Sequence, residues 1–197
     1  MSQLIESIKI LDNQIYRFTY HKKRMSRSCA EIYDTSMPFD FSQILNEIPL
    51  LEKGLFKLRL LYDDKELEHE FIPYQMKNIE SLKIVESDTI NYAHKFSDRS
   101  ELNDLYDKKK NADDILIVKN GKLTDTFHCN ISLHKDGVWY TPVSPLLKGT
   151  QRQYLIDQNL IVTKNISIDT LLEYDEICLF NAMIEFGQIT FTTDQIS

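Results

Sequence analysis

Cysteine is scarce in this sequence. Only Cys29, Cys129 and Cys178 occur, far apart and odd in number. No C-x-x-C pair and no Cys/His ligand cluster is present, so neither a disulfide framework nor a zinc or other metal site is expected. Three reduced thiols fit a reducing cytoplasm. Long hydrophobic runs are missing too: no apolar stretch approaches the roughly 20 residues of a membrane-spanning helix. Met1-Ser2-Gln3 leads straight into an alternating strand, without the basic and apolar regions of a secretory signal. A basic excess is also absent. Net charge is −7 and the cations are dispersed, which argues against a nucleic-acid surface. The densest basic patch, Lys22, Lys23, Arg24 and Arg27, is too small for that role but could serve a phosphate. Internal repeats and low-complexity segments do not occur.

What is present is an ordinary globular composition, 42% hydrophobic and 27% charged over 197 residues, enough for one large domain or two small ones. Alternation over Leu4–Ile10, a turn at Asp12-Asn13-Gln14 and Ile15–Phe18 predict a β-hairpin. Thr19 is placed to cap a helix through about Tyr33, and a second helix over Phe41–Ile48 should end at Pro49. Leu55–Tyr62, Leu67–Pro73 and Ile84–Glu86 read as strands of one antiparallel or mixed sheet, because the short turns leave no room for helical crossovers. A helix over Ser97–Lys110 follows. Next come a strand at Ile115–Val118, an Asn120-Gly121 hairpin into Lys122–Asp125, and a second hairpin about Asp136-Gly137. Thr150–Asn159 reads as a helix, and Leu179–Ile184 and Gly187–Phe191 as closing strands. The expected architecture is mixed α+β: a small N-terminal domain over 1–88, a linker over 89–94 and a larger domain over 95–197.

Lys95 is the lysine to single out. It follows an apolar, strand-like stretch, unlike the solvated run Lys108–Lys110. A desolvated amine loses basicity and becomes a nucleophile toward carbonyl compounds. Arg24 on the first helix, Asp125 on a hairpin strand, Gly149-Thr150 opening a helix and Asn181-Ala182 interrupting an apolar strand are each weak signals. Together they supply what a pyridoxal phosphate site needs: a lysine for the Schiff base, a carboxylate for the pyridine nitrogen, and a phosphate cup of amides and an arginine.

The ordered series Glu6-Ser7-Ile8-Lys9, His21-x-x-Arg24-Met25, His94-Lys95-Phe96-x-Asp98-Arg99 and Asp113-Asp114-Ile115-Leu116-Ile117 resembles the class IV aminotransferases, the PLP-dependent fold type IV. The resemblance continues through Gly121-x-x-Thr124-Asp125, Asn130-Ile131, Tyr140-Thr141-Pro142, Leu147-x-Gly149-Thr150-x-Arg152 and Asn181-Ala182-Met183, over essentially the whole chain. It implies a two-domain fold like that of D-amino-acid aminotransferase, with the usual first strands of the small domain missing. It also implies pyridoxal 5'-phosphate as cofactor and a homodimer with active sites near the subunit interface. Lys95 would carry the cofactor and move protons, Asp125 would pair with the pyridine nitrogen where the family usually has glutamate, and Arg24, Gly149, Thr150, Asn181 and Ala182 would hold the phosphate. Asn130 would fix the loop behind the ring, and Arg152 would form a structural salt bridge.

Within the family, Asn181-Ala182-Met183 and the Lys95 segment are most similar to the 4-amino-4-deoxychorismate lyase branch. That branch implies release of pyruvate and 4-aminobenzoate in folate biosynthesis. Ser7 stands where the lyases have a threonine hydroxyl, a candidate for assisting proton transfer. Arg59, Arg99 and His128 are candidates for the substrate carboxylates. A branched-chain or D-amino-acid aminotransferase is the rival expectation, and a non-catalytic PLP-binding relative a third.

Overall fold

The computed structural model describes residues 3–197. Met1 and Ser2, read above as the lead into the first strand, lie outside the described residues. Contacts divide the chain into two compact units. One is the chain up to Met76 together with His94–Asp98; the other is Lys77–Ala93 with Arg99–Ser197.

In the first unit, β1 (Leu4–Leu11) and β2 (Gln14–Ile15) form the expected hairpin. Its turn residues Asp12 and Asn13 both take positive φ, 50° and 66°, the type I′ geometry that follows strand twist. With β3 (Leu55–Tyr62) and β4 (Leu67–Pro73) they make an antiparallel sheet ordered β2-β1-β3-β4. Helix α1 (Phe18–Tyr33) packs Met25 and Cys29 onto one face of it, against Leu4, Ile8, Ile10, Leu58, Leu60 and Tyr62, and the short helix α2 (Ser42–Glu47) adds Ile44. Each aliphatic side chain withdrawn from water contributes roughly 1.5–3 kcal/mol. One residue on that inward face of β1 is not apolar: Glu6, fully buried between Leu4 and Ile8.

The second unit is built on eight strands: β5 (Leu82–Glu86), β6 (Asp114–Lys119), β7 (Lys122–Thr126), β8 (Asn130–Lys135), β9 (Val138–Pro142), β10 (Val162–Lys164), β11 (Glu176–Phe180) and β12 (Ile189–Thr192). The main path runs β10-β9-β8-β7-β6-β5, with β11 between β8 and β12. Both predicted hairpins are present, with Asn120, Gly121, Asp136 and Gly137 all at positive φ. Helices α3 (Ser100–Tyr106) and α4 (Thr150–Asp157) complete it. The three cysteines are buried and free. Among the described residues, no helix is long and apolar enough to cross a membrane.

Several elements differ from expectation, each for a local reason. The strand at Leu82–Glu86 does not extend the first sheet; it pairs in parallel with β6. Asp113 Oδ2 accepts the Glu80 and Ser81 amides and the Ser81 hydroxyl, pinning the start of β5 beside β6. This moves Lys77–Ala93 into the second unit, so the division falls at Met76 rather than at residue 88. The helix expected from Ser97 begins at Ser100, because Phe96 is still paired with Leu4 in the extended segment, which the Ser97 amide closes on the Gln3 carbonyl at 2.8 Å. Likewise Lys95 follows an irregular segment, not a strand, and its own segment joins β1. The first helix starts at Phe18 through Arg17 in the left-handed region, since Tyr16 is still tied to the Lys9 carbonyl at 2.9 Å. The strand expected over Leu179–Ile184 ends at Phe180, where Asn181 turns the chain.

Candidate active site

The singled-out residues fall into two groups, one in each unit. Glu6, Ser7, Arg24, Arg59 and Lys95 belong to the first. Leu4 and Phe96 form an antiparallel bridge, flanked by the Ile5 amide to the Lys95 carbonyl (2.9 Å) and the Ser97 amide to the Gln3 carbonyl. The Lys95 segment is thus a short strand laid on the free edge of β1. Phe96 packs into the core, so alternation roots Lys95 on the opposite sheet face. Ile5 and Ser7 share that face, as does Arg59, the Cα partner of Ser7 on β3. The neighbouring His94 is anchored on α1, with Nδ1 3.3 Å from the Ser28 hydroxyl and Nε2 3.4 Å from Glu31. Lys95 is half-buried on a backbone held from both sides.

Beneath it lies an ionic cluster that sequence reasoning did not assign. Arg24 Nε and Nη2 donate to Glu6 Oε1 and Oε2 at 2.8 and 2.5 Å, and His21 Nδ1 stands 2.6 Å from Oε2. All three side chains are at most 7% exposed. Burial alone would raise the Glu6 carboxyl, but the Arg24 charge and the hydrogen bonds from His21 and Arg24 hold it near 2. Burial pushes His21 below its usual range; Glu6 opposes this, while the charges of Arg24 and Lys95 add to it. His21 is therefore neutral, with its proton on Nδ1 facing the carboxylate. The signal for this cluster was present: a carboxylate at an inward position of the Leu4–Ile10 alternation needs a buried cation.

The second group surrounds Asp125. Its Oδ1 accepts Asn130 Nδ2 and its Oδ2 the Leu147 amide, both at 2.8 Å. Burial raises this carboxyl to about 6 against the opposing effect of those donors and of Arg152. A cation placed against it would be strongly held. Asn130 Nδ2 also donates to the Leu147 carbonyl at 2.9 Å, tying the loop before α4 to β8. Gly149 caps α4, and a Cβ there would come within 1.9 Å of Asn130 Oδ1. Thr150 opens the helix, 4% exposed. Asn181 Oδ1 accepts the Met183 and Ile184 amides, while its Nδ2 reaches the His128 carbonyl and Cys129.

Other assignments change character. Among the described residues Arg152 makes no salt bridge; its Nε donates to Thr141 Oγ1 (3.1 Å) and its Nη2 to the Pro142 carbonyl (2.7 Å). Arg99 lies on the Phe127 ring at 4.2 Å and donates to the Phe127 carbonyl, with Tyr92 at 5.7 Å, so its guanidinium is engaged in packing. His128 is exposed, its ring edge-on to Phe127. The structure does not bring Arg99 and Arg59 into one unit.

Each unit by itself carries donors of the kind pyridoxal phosphate needs: a half-buried amine at Lys95 and a guanidinium at Arg24 in the first, and a buried carboxylate held by neutral donors at Asp125 in the second. The absence of a side chain at Gly149 makes room for Asn130 against the start of α4.

Comparison with known proteins agrees. The profile of the family described as Amino-transferase class IV matches residues 80–190. An uncharacterized protein of Haemophilus influenzae Rd is 34% identical over 185 residues, 93% of this chain and 98% of its own. The crystal structure of a protein proposed to be a 4-amino-4-deoxychorismate lyase, from Haemophilus somnus 129PT, is 35% identical with a TM-score of 0.88, covering 94% of this chain and 98% of that one. A Mesorhizobium loti protein proposed to be an amino-acid aminotransferase has the same fold at 20% identity, with a TM-score of 0.84 and full coverage of both chains.

Proposed function

The chain belongs to the class IV aminotransferase family, and from that premise we propose that it is a PLP-dependent lyase converting 4-amino-4-deoxychorismate to 4-aminobenzoate and pyruvate. The observation that carries this reading is the 35% identity, over 94% of the chain, to the Haemophilus somnus protein described as such a lyase. When bound, the cofactor supplies an electron sink for the carbon bearing the substrate amine.

The chain's residues do the rest. Lys95 would take the proton from the carbon bearing the substrate amine and deliver one to the departing enolpyruvyl group. Its backbone, fixed on β1 and α1, keeps the amine over one position. Ser7, on the same face, orients the substrate and can relay the proton. Arg59, the cross-strand partner of Ser7, takes a substrate carboxylate. Asp125 would hold the pyridine nitrogen in its protonated form. Arg24 in the first unit, and Gly149-Thr150 and the Asn181-Ala182 turn in the second, are the residues that would hold the phosphate. No outside oxidant is required, because aromatisation of the ring drives loss of the side chain.

An amino-acid aminotransferase is the second reading, favoured by the family description. The purified protein should show the absorbance of a lysine-bound cofactor, and Lys95→Ala should abolish it; retention of the band would sink the lysine assignment. Pyruvate release from aminodeoxychorismate without an amino acceptor supports the lyase. Absorbance cycling between an amino acid and a keto acid supports the transaminase instead. We propose a cytoplasmic homodimer, which gel filtration of the holoenzyme tests.

A further inference from the structure

We propose that Glu6 is the positioning residue that gives this site its preference for a phosphorylated cofactor, by clamping one edge of the Arg24 guanidinium so that the other edge meets the phosphate, with His21 clamping Glu6 in turn. The inference rests on the reading of Arg24 as the phosphate ligand and goes beyond it, since neither Glu6 nor His21 has a role in that reading.

A guanidinium has two edges that each present a parallel pair of N–H groups, one shared by Nε and one Nη, the other by both Nη atoms. Glu6 occupies the first edge in full, with both carboxylate oxygens. Because the group is planar, fixing that edge fixes the plane and direction of the second. An arginine held in this way meets an incoming oxyanion without having to search rotamers, which saves the ordering entropy of a long side chain.

The clamp is itself clamped. His21 lies three residues before Arg24 on α1, so both side chains project from one helix face to one carboxylate. His21 donates from Nδ1 to the oxygen that also receives Arg24 Nη2. The charged and titratable groups acting on Glu6 are His21 and Arg24 from α1 and Tyr62 from β3, while Lys95, from the segment on the β1 edge, acts on His21. Among the described residues, Arg24 and His21 bond the carboxylate.

Stability alone does not explain the cluster. Glu6 sits on a strand face otherwise made of Leu4, Ile8 and Ile10, where an apolar residue would pack with no ion to desolvate. Exchanging a buried ionic cluster for apolar groups is often neutral or stabilising. A charge retained at such a position calls for an account in terms of orientation.

The test compares pyridoxal phosphate with pyridoxal, which lacks the phosphate but has the same aldehyde for Lys95. Each is titrated into the full-length apoprotein and binding is read from the absorbance of the lysine adduct. The wild type should bind the phosphorylated form far more tightly, and Arg24→Gln should collapse that ratio. Glu6→Gln is expected to weaken pyridoxal phosphate by about tenfold or more while pyridoxal stays within about twofold. His21→Gln, which keeps the Glu6–Arg24 fork, should give a smaller loss of the same selective kind, and it carries the test if Glu6→Gln does not fold. Equal weakening of both ligands, or an unchanged ratio, in a folded clamp variant overturns the role of Glu6. If Arg24→Gln leaves the ratio at its wild-type value, the phosphate assignment of Arg24 fails as well, and the inference falls with it.

Discussion

Gly149 and Asn130 stand so close that a single carbon cannot be added between them: a Cβ on Gly149 would lie 1.9 Å from Asn130 Oδ1. Gly149 has an ordinary extended backbone, φ −66° and ψ 148°, so its requirement for glycine is one of space, not of conformation. In Gly149→Ala, Asn130 must swing away and give up its bonds to Asp125 and the Leu147 carbonyl. The expected cost is about 1–3 kcal/mol in denaturant unfolding, with weaker cofactor binding. An unchanged midpoint would show that the loop yields instead.

The cofactor-free protein should have an inverted pH dependence on the acid side. Asp114 and Asp125 have folded pKa values raised by burial to about 6 from 3.8. Stability from such raised groups is complete below about pH 3.8 and is lost as pH rises through 6. Glu6 acts oppositely: lowered to about 2 from 4.5, its contribution is complete above 4.5 and lost as pH falls toward 2. Between pH 4.5 and 7 the two aspartates lower stability as pH rises, each costing up to roughly 3 kcal/mol at neutrality, against an opposing contribution from His21, whose lowered pKa makes stability rise towards pH 6.5. Asp114 Oδ1 accepts the Ile115 and Phe127 amides, while its buried Oδ2 meets no hydrogen-bond geometry among the described residues. Asp114→Asn should keep those bonds, raise stability at pH 7 and flatten the profile by about one proton. Denaturant midpoints at pH 4.5, 5.5 and 7 decide it.

Arg152→Lys replaces a planar fork by a point charge. The paired bonds to Thr141 Oγ1 and the Pro142 carbonyl cannot both be made by an ammonium. We expect a loss of about 1–3 kcal/mol, with α4 loosened from β9. Hydrogen exchange of the α4 amides should rise in the variant; wild-type protection there would contradict the prediction.

Arg59→Gln separates substrate from cofactor. Arg59 neighbours Ser7 across the sheet, and among the described residues it makes no ion pair or hydrogen bond. Its loss should raise KM for a carboxylate-bearing substrate by about tenfold or more while the absorbance titration with pyridoxal phosphate stays as in the wild type. A change in cofactor affinity with KM unaltered would remove Arg59 from the substrate side.

The sequence by itself determined the elements whose signals are local. Alternation over Leu4–Ile10, the Asn120-Gly121 and Asp136-Gly137 turns and the Leu55–Tyr62 strand lie where short-range chemistry puts them, because turn φ values and side-chain alternation need no distant partner. The order of motifs around Lys95 was legible as well. Tertiary structure decided what depends on partners far along the chain. Pairing of Phe96 with Leu4 kept the chain extended up to Ser97, where a helix was expected. Asp113 drew Leu82–Glu86 into the second sheet. Arg152 found neutral oxygens in place of a carboxylate. Above all, Glu6, His21 and Arg24 are 15 and 18 residues apart in chain, and only burial on a shared carboxylate makes them one group. In a water-excluded core an ion must be paired, and which residues do the pairing is settled by packing.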